Sequence, residues 1–136
     1  MAFLIGALLA LAVGHLCMKA GFNRDRALYP TMTIVVASYY VLFAAMGAST
    51  HSLLVESLCS AVFVVGATLG FKFSLWIVVD ALALHGLFDL LHAEVIYNAG
   101  VPAWWPAFCL AFDLVAAGYL AALLKSRRIP VHIPPT

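Results

Sequence analysis

GATLGFKFSLWIVVD, residues 66–80, is apolar almost throughout and interrupted only by the short pause GFKFS around Lys72. Read as continuous, it fuses two hydrophobic segments into one; read as broken at Lys72, it separates a third membrane span from a fourth. Charge decides between these readings. With a break here the chain has five spans, at roughly 2–20, 30–48, 52–71, 73–97 and 104–124, each near the ~20 apolar residues a helix needs to cross the hydrocarbon layer. Lys19, Arg24, Arg26, Lys72, Lys125, Arg127 and Arg128 then all fall on one side, and the two opposite connections carry no Lys or Arg. Positive charge is retained in the cytoplasm, so the pattern predicts an all-α, five-span bundle with the N-terminus out and the C-terminus in. Fusing the third and fourth spans would destroy this agreement.

The bulk composition fits. Of 136 residues, 65% are hydrophobic and 10% charged, with a mean hydropathy of +1.07, whereas soluble domains carry about 25% charged residues. A net charge of +1 with no basic, aromatic-interleaved face argues against a nucleic-acid partner. The bilayer is the expected partner, and a bacterial cytoplasmic membrane the expected location. MAFLIGALLALAVGHLC at the N-terminus has no Lys or Arg before its apolar core and no A-x-A-like cleavage site, so it reads as a retained first span. The first break, GFNRDRALYP, ends in Pro30, suited to the first turn of a helix. The fourth, YNAGVPAWWP, joins turn formers to Trp104 and Trp105, residues suited to the interface. Residues 1–124 form the membrane domain in this reading. Residues 125–136, KSRRIPVHIPPT, form a short basic, proline-rich cytoplasmic tail without packed structure of its own.

Against this background HGLFDLLH, residues 85–92, stands out. His85, Asp89 and His92 recur at i, i+4 and i+7, within a stripe about 60° wide on one helix, while Asp80 and Glu94 point to roughly the opposite side. Ionisable groups at membrane depth face a bundle interior or a wet cavity and find partners there. At about 1.5 Å of rise per residue, Asp89 and Asp113 both lie roughly 12–13 Å from the outer surface, Glu56 and His92 lie nearer to it, and Tyr40 reaches the Asp89 level. His85 and His15 fall near mid-depth. Each of the five helices can thus offer a polar group to one region in the outer half of the bundle.

Three chemistries suit that region. His and carboxylate side chains one turn apart can share a metal ion, which makes His85, Asp89 and His92 candidate ligands of a divalent cation, zinc or iron. Asp113 and Glu56, with Asp89, are then the candidate catalytic carboxylates acting on a membrane-soluble substrate. His85 and His92 are about 10 Å apart along the axis, so one ion takes one of them, or two ions flank Asp89. The same residues could form a proton, ion or solute pathway in a small oligomer, or a structural hydrogen-bond network in an accessory subunit. Haem held between His15 and His85 is a further, weaker reading.

The remaining features have plainer expectations. Cys17, Cys59 and Cys109 are widely spaced in apolar segments and read as free thiols packing like small hydrophobes. Asp80 reads as an ion-pair partner of Lys19, Lys72 or the NRDR loop. Arg24, Asp25 and Arg26 sit at the level of lipid phosphates. Gly66 and Gly70 have the GxxxG spacing of close helix contact, within the chain or in a homo-oligomer.

Taken together, GFNRDRALYPTMTIVVASYY (21–40), HGLFDLLH (85–92) and GVPAWWPAFCLAFD (100–113) make the chain resemble a group of small bacterial integral-membrane proteins known as a domain of unknown function. The resemblance covers most of the chain and implies no particular activity. Membrane hydrolases that hold zinc with His and Asp are a looser analogy: they use seven or more spans and a serine with three histidines on several helices, and none of their residues carries over here.

Overall fold

The computed structural model describes residues 1–22, 26–47 and 49–131. Five helices account for nearly all of it: α1 (Ala2–Ala20), α2 (Leu28–Met46), α3 (Thr50–Lys72), α4 (Leu75–Val95) and α5 (Trp105–Lys125). Each is long and apolar enough to cross a membrane. The all-α, five-span reading therefore stands, with boundaries shifted by at most two residues. Arg24, Asp25 and the proline-rich end of the tail lie outside the described residues.

The pause at Lys72 is a real break. Ser74 is extended and its Oγ accepts from Trp76 N at 3.4 Å, capping α4; Ser49 caps α3 in the same way, accepting from Ser52 N at 3.2 Å. Such caps satisfy amide donors that a helix start leaves unpaired. The hairpin between α3 and α4 is tight because Gly70 has no side chain: a Cβ there would collide with the Val78 side chain and come within 3.0 Å of Val78 N. One turn earlier, a Cβ on Gly66 would sit 3.6 Å from Ala81 Cβ. Both glycines of the GxxxG pair thus face α4 of their own chain. Between apolar helices in lipid, where hydrophobic contrast is small, such close approach is a main source of packing energy.

Neighbouring helices follow one another in the order α1, α5, α4, α3, α2, with α2 touching α4 and α5 only lightly. Among the described residues the backbones of α1 and α2 do not approach closely, although the Tyr29 hydroxyl reaches Gly14 of α1, and away from that contact the arc is open between them. The core fills its inside, with Tyr29, Leu75, Val78, Leu82, Cys109 and Leu120 fully buried. Leu, Val and Phe side chains such as Leu8, Leu58, Val62 and Leu90 cover the outside, as expected of helices that meet lipid.

The two ends are closed differently. At one, Val131 O accepts from Arg26 Nη2 at 2.8 Å and from Leu75 N at 3.2 Å, which ties the α1–α2 connection, the α3–α4 hairpin and the segment after α5 together. Ile129 is buried there. Within the tail, Ile129 and the Val131 carbonyl find partners at the helix ends, while Lys125, Ser126, Arg127, Arg128 and Pro130 are exposed. At the other end Asn98 Nδ2 donates to Tyr40 O at 3.1 Å and Ser52 Oγ donates to Tyr97 O at 2.8 Å, fastening the α4–α5 loop onto α2 and α3.

Candidate metal centre

Facing pairs of residues one turn apart build the centre. His85 and Asp89 project from α4, Cys109 and Asp113 from α5, and one ligand atom from each lies within 4.8 Å of all the others. All four are at most 1% exposed. His85 Nδ1 is 2.6 Å from Asp113 Oδ2 and 3.6 Å from Asp89 Oδ2. Cys109 Sγ donates to Asp113 Oδ2 at 3.7 Å, and the edge-to-face ring of Phe63 packs on the imidazole with centroids 4.7 Å apart. The helices meet closely here because position 86 is glycine: a Cβ would stand 3.4 Å from both Asp113 Cβ and the Leu110 carbonyl oxygen.

Electrostatically the cluster is short of positive charge. Two carboxylates face a single imidazole, and Asp89 Oδ2 and Asp113 Oδ1 are buried without a hydrogen-bond partner. Unpaired buried oxygens cost about 1–3 kcal/mol each, more if ionised, so native structures keep few of them. The remaining oxygen of Asp89, Oδ1, accepts from the Tyr40 hydroxyl at 2.7 Å. That bond fixes the carboxylate's orientation and leaves Oδ2 turned toward the histidine.

A second polar group lies toward the loop end. His92 Nε2 is 2.7 Å from Glu56 Oε1, and Asn98 Nδ2 donates to the same oxygen at 2.9 Å. The Tyr40 ring stacks on the His92 ring at 4.0 Å, so Tyr40 stands between the two groups and touches both.

The polar region expected at one level is therefore two sites. Asp89, Asp113 and His85 come together; His92 and Glu56 pair with each other apart from them. His92 is paired with a carboxylate of α3 and is not among the four clustered residues. Cys109 stands in the cluster instead: it is a buried free thiol packed in the core, as read, and its Sγ also meets Asp113, while Cys17 and Cys59 are half-buried free thiols. The signal for Cys109 was in the sequence: it precedes Asp113 by the same four residues that separate His85 from Asp89. His15 is exposed on α1, which packs on α5 and not on α4, so it does not join His85 and the paired-histidine geometry for haem is not formed. Four helices, not five, supply buried polar groups to this region. Asp80 is exposed and, among the described residues, forms no ion pair with Lys19 or Lys72; Glu94 is exposed too.

No protein-family model, curated protein or solved structure matches the chain.

Proposed function

We propose that this is a multi-pass membrane protein that binds one divalent cation, zinc or iron, with His85, Asp89, Cys109 and Asp113, and that its basic end is cytoplasmic. The observation that carries the reading is the convergence of four potential ligands in an apolar interior with two carboxylate oxygens unpartnered. A cation offsets the charge that burial otherwise makes costly. Imidazole, thiolate and carboxylate together form a donor set that suits zinc and iron better than magnesium or calcium. Such an ion supplies Lewis acidity toward a polar group of a membrane-soluble substrate. Tyr40 holds Asp89 in place by its hydroxyl, and Phe63 and the packed helices keep water from the ligands. Glu56 and His92 belong to a neighbouring fastening between α3 and α4.

Elemental analysis of the purified full-length protein tests this. The expected result is about one equivalent of zinc or iron per chain, lost on Asp89→Asn while the protein stays folded and monodisperse. Metal at background level in wild type, after reconstitution with either ion, overturns the reading and leaves a hydrogen-bonded network or a proton pathway through the same residues. Should Asp89→Asn fail to fold, Cys109→Ser is the second variant: it keeps size and polarity and is expected to weaken binding.

A further inference from the structure

Between α1 and α2, where the arc of helices stays open, lies a cleft of about 350 Å³ floored by α5. Leu9 of α1, Met32 and Val35 of α2, and Phe108, Phe112 and Cys109 of α5 are among its walls. Leu9 and Val35 are also lipid-facing, 43% and 45% exposed, so the cleft is continuous with the surface that meets the bilayer. It is elongated: it follows α2 from Leu28 to Tyr39, about 16 Å at helical rise. A cleft of that length and volume has room for one extended chain.

Its floor matters as much as its shape. Cys109 is a wall of the cleft and a member of the polar cluster, its Sγ 3.7 Å from Asp113 Oδ2. The thickness of one side chain separates an apolar, membrane-open groove from the buried carboxylates. We propose that the cleft binds a single hydrocarbon chain of a membrane lipid, entering sideways from the bilayer between α1 and α2, and that the chain lies against Cys109 beside the metal-binding residues. This gives the substrate a class, a single-chain lipid, and it rests on the metal reading for any chemistry; the chain-binding half stands without the ion. The walls are mostly apolar, with Thr31, Tyr39 and Trp105 the residues that bring polar atoms to them, and such a groove opening into hydrocarbon favours hydrocarbon over water.

The test is photolabelling of the full-length protein in nanodiscs with a long-chain fatty acid carrying a mid-chain diazirine, read by peptide mass spectrometry. Adducts are expected on Leu9, Met32, Val35 and Phe108, reduced about tenfold by excess unlabelled fatty acid or by Val35→Trp, which fills the mouth. Leu58→Trp, on the lipid-facing side of α3, is expected to leave them unchanged. Labelling spread evenly over lipid-facing positions such as Leu58, Val62 and Leu90, without competition, would mean bulk lipid contact only and overturn the proposal. Repeating the labelling in Asp89→Asn separates the two readings: cleft adducts that persist in a metal-free variant uphold the chain site, while their absence in a metal-loaded wild type overturns it and leaves the metal site standing.

Discussion

The two buried polar groups use the same residue types and share helix α4, yet they are built to different balances. Around Glu56 a single carboxylate meets one imidazole and one amide, and these two contacts join α3, α4 and the α4–α5 loop. Around Asp113 two carboxylates and a thiol share one imidazole, leaving an oxygen unpartnered on each acid. Glu56 Oε2 is likewise unpartnered, so the difference lies in one acid per imidazole against two acids and a thiol. The second group gathers four potential ligands with a single imidazole among them, and the proposed cation rests on that imbalance. Intramembrane charge is costly wherever it occurs, so the balance of donors against acceptors is what separates a fastening from a binding site.

The sharpest way to break this contrast is to remove one acid from each group. Asp113→Asn is expected to lower metal affinity at least about a hundredfold, and Glu56→Gln to leave bound metal unchanged while lowering stability by about 1–3 kcal/mol, the value of a disrupted buried hydrogen bond. Metal titration and thermal unfolding of the two variants side by side check it; equal loss of metal in both would merge the groups into one site. A smaller effect is expected at the residue that touches both. Tyr40→Phe removes the hydroxyl held by Asp89 Oδ1 and keeps the ring stacked on His92, so metal affinity should fall about tenfold, in the range found for outer partners of metal ligands. Competition titration with a chelator reads this directly, and unchanged affinity would show that Tyr40 does not orient the carboxylate.

How far the sequence led follows from the range over which each signal acts. The fold was legible because apolar length and the distribution of Lys and Arg act span by span: the pause at Lys72, weak in hydropathy, was resolved by charge, and Ser74 caps the helix that begins there. Depth was legible as well, since helical rise is constant, and Tyr40, Asp89 and Asp113 do lie within one neighbourhood. Rotation about each helix was not. Helices that are apolar all round carry no stripe to tell inside from outside, so His15 looked as available as His85, and only packing turned it outward. Cys109 was passed over because a thiol in an apolar span reads as a hydrophobe until its neighbours are known. The pairing of His92 with Glu56 was not legible, because stripe geometry records which residues share a face and says nothing of a carboxylate on the adjacent helix.

X-ray absorption at the metal edge of the reconstituted protein tests the centre most directly. A cation held by His85, Asp89, Cys109 and Asp113 requires one sulfur neighbour, at about 2.3 Å for zinc, among nitrogen and oxygen neighbours, and that sulfur must vanish in Cys109→Ser. A first shell of nitrogen and oxygen alone in the wild-type protein would contradict the assignment of Cys109 and, with it, the centre described above.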